Sequence, residues 1–339
     1  MNIILGIESS CDETAAAIYH QEKGIIAHAL FSQIALHKEF GGVIPEIASR
    51  SHLEKINSIV QEVLDRAKIT LTDITTVAVT SKPGLPGSLL VGVSFAKALA
   101  LARNIPIIGV NHLEGHVFSA CIENQVPFPH LCITASGGHT SMYLVHGFGD
   151  YTLVGETLDD AAGEAFDKIS KLLNLGYPGG PIIEKLASEV AFEDFFHYTR
   201  GNSKTTDFSF SGLKTAVLYD LVARGAYDMK VKKFLKEDDL YFKQQVASSL
   251  LVAITEIFKN KISLALKLHP EIKAVTFVGG VACNKYIKRE LTQLAQKLNV
   301  AFFTPSPTYC TDNGAMIAFV GNYMAAKGQF SDLTLDILK

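Results

Sequence analysis

Ile3-Ile4-Leu5-Gly6-Ile7-Glu8-Ser9-Ser10-Cys11-Asp12-Glu13-Thr14-Ala15-Ala16-Ala17-Ile18-Tyr19 opens the chain and sets its fold. Ile3 to Ser9 is β-rich, Cys11 to Thr14 is a polar turn, and Ala15 to Tyr19 is the return strand of a hairpin. The pattern recurs downstream. Leu131 to Ala135 is a strand, Ser136-Gly137-Gly138-His139-Thr140 is the turn, and Ser141 to Val145 returns. Each half then carries a strand, a glycine turn and a helix. In the first half these are Val77 to Thr80, Pro83-Gly84-Leu85-Pro86-Gly87 and a helix from Ser88. In the second they are Ala274 to Val278, Gly279-Gly280 and a helix from about Asn284. This recurrence predicts a duplicated α/β unit, repeated in structure rather than in residues. Two such halves are expected to face each other across a central cleft, with both hairpin turns pointing into it. The hinge is placed near residues 110–130. The first domain is read as 1–115 and the second as 116–311, with an inserted aromatic and polar loop at about 190–212. A last helix, about 312–326, is expected to cross back to the first domain.

The 339 residues suit two domains, and 48% apolar content is enough for sizeable cores. Met1 to Ser10 is apolar but has no basic leader or small-residue cleavage site, so it reads as a strand rather than a signal peptide. No stretch reaches the roughly 18 unbroken apolar residues of a membrane span. The five cysteines, Cys11, Cys121, Cys132, Cys283 and Cys310, include no CxxC pair and fit a reducing cytosol. A net charge of −3 argues against a protein that grips nucleic acid alone. Lys230, Lys232, Lys233 and Lys236, followed by Glu237-Asp238-Asp239, read as a solvated helix edge. The helix from Ser88 to Ala102 is apolar almost all round, with only Ser88, Ser94 and Lys97 polar. One face can pack on a sheet. The other needs a cover, either the chain's own helices or a protein partner.

His112-Leu113-Glu114-Gly115-His116 places two histidines at i and i+4, on one helix face, where both imidazoles can reach one ion. Two surface or capping histidines would look the same. A zincin protease would set its glutamate beside the first histidine. Here Glu114 is two residues from each, about 160–200° around the helix, away from a metal-bound water. Asp312, in Cys310-Thr311-Asp312-Asn313-Gly314, is the candidate third ligand, or else an N-cap carboxylate. Two histidines and a carboxylate suit Zn²⁺ or Fe²⁺ and leave open positions. No G-x-x-x-x-G-K-[ST] occurs. The Ser136–Thr140 hairpin can cradle a phosphate on backbone N–H groups, or be an ordinary turn. Gly279-Gly280 with Asn284 can admit an adenine, or serve close strand–helix packing. Asp160, Glu164 and Asp167 lie on one helical face, with expected pairs Glu164–Lys168 and Asp167–Lys171. Asp159 and Asp160 stay uncompensated, near Tyr177-Pro178-Gly179-Gly180, and would suit ribose hydroxyls or an ammonium.

Taken together these segments resemble the TsaD family, long labelled a glycoprotease, over nearly the whole chain. The resemblance rests on Gly6 to Thr14, Gly41 to Arg50, His112 to His116, Ser136 to Thr140 and Asp159 to Asp167. It continues in Tyr177 to Pro181, Asp207 to Lys214, Gly279-Gly280-Val281 with Asn284, and Cys310 to Ala315. It implies a duplicated actin-like, sugar-kinase-like (ribonuclease H-like) fold. It also implies a divalent metal, Fe²⁺ or Zn²⁺, on His112, His116 and Asp312. A substrate site would be lined by Thr134, Ala135, Ser136, Gly137, Gly138, Asp167, Gly180 and Asn284. Glu184, where relatives often carry Asp, is added to that set; Lys82 stands where the family usually has Gly. The implied reaction moves a threonylcarbamoyl group from L-threonylcarbamoyl-adenylate to the exocyclic amine of the adenosine beside the anticodon. The tRNAs are those reading codons that start with A, and AMP leaves. Asp12 or Glu13 is the expected catalytic base. The implied partners are the paralogue TsaB as heterodimer partner and the ATPase TsaE, with TsaC-type enzymes supplying the adenylate. A cytoplasmic location is expected. Rival readings are a kinase or chaperone-like ATPase of the same fold, a metalloprotease, and a silent scaffold lacking the metal ligands.

Overall fold

The computed structural model describes residues 2–202 and 204–337. The chain divides into two compact units, Met1–Asn124 with Pro305–Lys339, and Gln125–Thr304.

In the first unit, β1 (Ile3–Glu8), β2 (Glu13–His20) and β3 (Gly24–Ser32) run antiparallel. The short α1 (Ile34–His37) and long α2 (Pro45–Ala67) lead to β4 (Thr76–Lys82), which pairs in parallel with β1. Then come α3 (Pro86–Arg103), β5 (Ile107–Asn111) parallel to β4, and α4 (His112–Ser119). The sheet order is β3-β2-β1-β4-β5.

The second unit repeats this plan. β6 (His130–Ala135), β7 (Thr140–Gly147) and β8 (Asp150–Glu156) run antiparallel. α5 (Ala162–Leu172), α6 (Gly179–Ser188), α7 (Ser211–Ala223), the two-residue strands β9 (Tyr227–Asp228) and β10 (Lys233–Phe234), and α8 (Leu240–Leu268) intervene. β11 (Ala274–Val278) then lies parallel to β6, α9 (Lys285–Lys297) follows, and β12 (Ala301–Phe303) lies parallel to β11. The order β12-β11-β6-β7-β8 matches the first sheet strand for strand. The chain closes in the first unit with α10 (Pro307–Cys310) and α11 (Gly314–Ala326).

Side chains of a strand alternate between faces, and β1 shows what that decides. Leu5 and Ile7 enter a core with Ile56, Val60 and Val63 of α2 and Val93 and Ala96 of α3. Ile4, Gly6 and Glu8 point to the other face, where α11 packs. A Cβ on Gly6 would lie 2.4 Å from the Gly314 carbonyl oxygen and 2.5 Å from the Ala318 nitrogen. The missing side chain is what lets α11 rest on the strand. It also brings the loop before α11 to the end of β1.

Several expectations are corrected. α11 starts at Gly314, with Asn313 as N-cap: the Asn313 side chain accepts the Met316 N–H at 2.9 Å, so Asp312 stands outside the helix. Lys230, Lys232 and Lys233 are exposed on the β9–β10 hairpin, not on a helix, and Lys236 sits 4.5 Å from the centre of the Phe242 ring. The inserted loop lies between α6 and α7 as expected, and its described residues are anchored. Phe208 and Phe210 are fully buried beside Phe258, and buried Lys261 donates to the carbonyls of Asn202 and Thr205.

Candidate functional site

Asn111 ends β5 and caps α4, accepting the Leu113 N–H at 2.8 Å. That cap makes His112 the first residue of the helix and puts His116 one turn on. The two rings stand 4.7 Å apart, centre to centre, at 88°. Both are buried. His116 Nε2 lies 2.9 Å and His112 Nε2 3.5 Å from Asp312 Oδ1. The three ligand atoms lie within 4.8 Å of one another. The Asn313 side chain also donates to the Thr311 carbonyl at 2.7 Å, which fixes the backbone around Asp312.

Two converging imidazole nitrogens and one carboxylate, partly open to solvent, fit a divalent ion, and hard or borderline metals such as Zn²⁺ or Fe²⁺ both suit the set. Burial works against a charged His112, but the Asp312 and Glu8 carboxylates outweigh it and push its pKa up to about 9. Glu114 is not in this group. Burial raises its pKa, against a smaller opposing effect of the Lys327 charge. It does not take the place beside the histidines that a zincin's general base occupies.

Asp12 and Glu13, on the β1–β2 turn, are half-buried. Glu13 Oε1 accepts the Ser32 hydroxyl at 3.1 Å. Burial, with repulsion from Asp312 and Asp12, holds the Glu13 carboxyl well above the usual carboxylate range.

In the second unit, the β6–β7 turn closes with Ser136 N–H donating to the His139 carbonyl at 2.8 Å. Gly137 and Gly138 are exposed, a Cβ on either would touch nothing within 4 Å, and neither has a left-handed φ. Neither packing of a Cβ nor a left-handed φ requires glycine at these two positions. Gly279 is different: its φ is 92°, and a Cβ would lie 2.4 Å from the Ala135 carbonyl oxygen. It serves close packing.

The remaining positions are linked through helix starts. Gly163 N–H, at the head of α5, donates to the Ser136 carbonyl at 3.1 Å. Asp167 Oδ1 accepts Gly179 N–H at 2.6 Å, beside Gly180, and does not pair with Lys171 as expected. Glu184 Oε1 accepts Lys285 N–H at 2.6 Å and Tyr286 N–H at 3.1 Å, while Asn284 Oδ1 accepts Ile287 N–H at 3.0 Å. Glu184 and Asn284 thus cap α9 together. Thr134 and Ala135 are buried at the end of β6, where the Thr134 hydroxyl donates to the Ser141 carbonyl at 3.3 Å.

The acidic pair expected to be uncompensated is engaged. Asp160 is paired with Lys168 at 2.7 Å and Lys214 at 2.9 Å. Asp159 accepts from the Ser209 and Ser211 hydroxyls, each at 2.6 Å, and from Phe210 N–H at 2.8 Å. These carboxylates tie the Asp207–Lys214 segment to the start of α5, and hydrogen bonds to Ser209 and Ser211 outweigh desolvation to hold Asp159 down at about 2. The residue that spacing and pattern missed is Glu8. Its signal was an acid on the α11-facing side of an otherwise apolar strand.

Fold and site together define a two-unit α/β protein of the actin-like, sugar-kinase-like class, carrying a histidine–carboxylate donor group. HypF in its nucleotide-bound form shares the fold with a TM-score of 0.64 at 13% identity, over 97% of this chain and 56% of HypF. Component A of (R)-2-hydroxyglutaryl-CoA dehydratase from Acidaminococcus fermentans does so with a TM-score of 0.52 at 16% identity, over 96% of this chain and all 100% of that one. Residues 24–319 match the family model of TsaD, tRNA N6-adenosine threonylcarbamoyltransferase. The enzyme of that name from Syntrophotalea carbinolica is 44% identical over 98% of this chain and 95% of its own length. That of Ralstonia pickettii is 46% identical over 94% and 90%. The chain belongs to the TsaD family of tRNA N6-adenosine threonylcarbamoyltransferases. The kinase-like ATPase and metalloprotease readings give way to that assignment.

Proposed function

We infer that this chain transfers the threonylcarbamoyl group of L-threonylcarbamoyl-adenylate to the exocyclic amine of the adenosine beside the anticodon of tRNA, in tRNAs reading codons that start with A. The observation that carries the reading is near-full-length identity to transferases of that name, in a chain whose His112, His116 and Asp312 donor atoms converge within 4.8 Å.

In the reaction the amine nitrogen bonds to the carbamoyl carbon, and the bond from that carbon to the phosphate oxygen breaks, releasing AMP. An adenine amine is a weak nucleophile, so the donor must be strongly polarised. His112, His116 and Asp312 would hold a divalent ion, Fe²⁺ or Zn²⁺, which would supply a Lewis acid for the carbonyl. The Ser136–Gly138 N–H groups hold the adenylate phosphate and take up charge as AMP departs. Asp167, Gly180, Glu184 and Asn284 position the nucleoside, with Thr134 and Ala135 beneath the turn. Asp12 or Glu13 accepts the amine proton. Positioning of this kind supplies up to about 7–11 kcal/mol of a bimolecular barrier.

The protein partner is the paralogue TsaB, with the ATPase TsaE joining them and TsaC-type enzymes supplying the adenylate in the cytoplasm. Supporting this, Leu90 and Leu101 on α3 and Leu53 on α2 are 56%, 68% and 67% exposed. No helix among the described residues is long and apolar enough to cross a membrane. The test is to supply threonylcarbamoyl-adenylate, tRNA and the partner, then digest the tRNA and look for threonylcarbamoyladenosine. Modified nucleoside and stoichiometric AMP are expected. AMP release with unmodified tRNA would overturn the acceptor assignment.

A further inference from the structure

We propose that Glu8 is a positioning residue for the metal group, its carboxylate holding the His112 ring from behind so that Nε2 faces the ion. This rests on the metal-binding reading of His112, His116 and Asp312.

Glu8 is the last residue of β1 and is fully buried, at 0% exposure. A buried carboxylate is retained only when donors surround it. Ser10 N–H donates to Oε1 at 2.5 Å, the Thr80 hydroxyl to Oε2 at 2.5 Å, and His112 Nδ1 lies 3.1 Å from Oε2. The Ser10 N–H can only donate, the Thr80 hydroxyl donates here, and an ionised carboxylate only accepts. His112 Nδ1–H therefore keeps its proton and donates a hydrogen bond to Glu8 Oε2, with the Ser10 hydroxyl oxygen also 3.1 Å from Nδ1. Nε2 is the nitrogen left to give up a proton and bind metal. The strand period accounts for the placement, since Glu8 shares a face with Gly6, the face on which α11 brings Asp312 in.

The second histidine lacks this support. His116 Nδ1 is buried without a hydrogen-bond partner among the described residues, and its Nε2 meets Asp312 at 2.9 Å. One ligand is thus braced and the other is not. Glu8 is itself outside the converging donor group, so it acts through His112 rather than as a ligand. A carboxylate behind a metal-bound histidine fixes its tautomer and raises its basicity, and loss of such a partner costs about 10–100-fold in metal affinity.

The test measures Zn²⁺ affinity by chelator competition for the full chain, Glu8→Gln, His112→Ala, His116→Ala and the two double variants with Glu8→Gln. Glu8→Gln is expected to weaken binding about 10–100-fold. In the His112→Ala background it should weaken binding no further, while in the His116→Ala background its full effect should persist. Wild-type affinity in Glu8→Gln, or an undiminished effect in the absence of His112, would overturn the proposal and leave the metal site standing. An unaltered chain that binds no Zn²⁺ would overturn both. If Glu8→Gln does not fold, ¹⁵N spectra of the zinc-loaded unaltered chain decide: a proton on His112 Nδ1 is expected, and a proton on Nε2 refutes it.

Discussion

His112 and His116 supply two of the three converging donors, so replacing both by Ala should leave Asp312 alone and abolish stoichiometric metal in the purified protein. Elemental analysis reads this directly, and unchanged metal content would sink the ligand assignment. At the turn proposed as the phosphate cradle, Gly137 offers a cleaner substitution than most glycines. A Cβ there meets nothing within 4 Å, so Gly137→Val should fold normally while its branched side chain blocks an approaching phosphate. Affinity for AMP should fall at least about tenfold, roughly 1.4 kcal/mol by calorimetry; undiminished affinity would show that the turn is not the cradle. Residues of this kind were legible for different reasons. Spacing put the two histidines on one helix face, where their rings do converge, and angle set Glu114 apart from them. Asp312 stood as a candidate ligand or an N-cap, and sequence could not choose between them, since His116 is 196 residues away. Asp167 misled because its neighbour along the helix is Lys171 while its neighbour in space is the Gly179 N–H. Asp159, expected to be uncompensated, accepts from Ser209, Phe210 and Ser211 far along the chain.

At the scale of elements, the strand and helix periods gave β1, β6, β11 and α3 nearly to the residue. What the periods left open was where helices begin, because caps are set by single side chains. Asn313 rather than Asp312 caps α11, and that difference of one residue leaves Asp312 outside the helix, against His116. The packing of α11 on β1 gives a testable consequence. Gly6→Ala would place a Cβ against Gly314 and Ala318 backbone, which cannot move aside as a side chain end can. Overpacking of this kind costs about 1–3 kcal/mol. Melting temperature should drop by roughly 2–4 °C per kcal/mol for a unit of this size. Metal affinity should fall as well, because the helix that shifts follows directly on Asp312. A variant with wild-type melting and metal binding would show that α11 tolerates displacement.

For the whole molecule, two matching sheets were legible from two hairpins, yet one surface was not decided by sequence: whether α3 is covered by its own chain. It is not fully covered. Its inner residues Leu89, Gly92, Val93, Ala96 and Ala100 are buried on the sheet side, while Leu90 and Leu101 stand 56% and 68% exposed, with Ala98 between them also exposed. α2 packs alongside, with Ser49 against Gly87 near the two helix starts, and one turn further on Leu53 is 67% exposed. Large apolar side chains exposed along a helix pair are a candidate interaction site. Ala98 is the better place for a charge, since Val91 is half-buried and would disturb the core. Glutamate is a good helix former, so Ala98→Glu should leave the isolated subunit folded, as circular dichroism and melting would show. In a complex that buries this face, the carboxylate would lose its water without gaining a partner. Binding to the paralogous partner should weaken by at least about 2 kcal/mol, roughly 30-fold. Sedimentation or size-exclusion of the mixed proteins reads the loss. Undiminished complex formation by Ala98→Glu, with α2 and α3 still solvent-exposed in the complex, would place the partner on another surface.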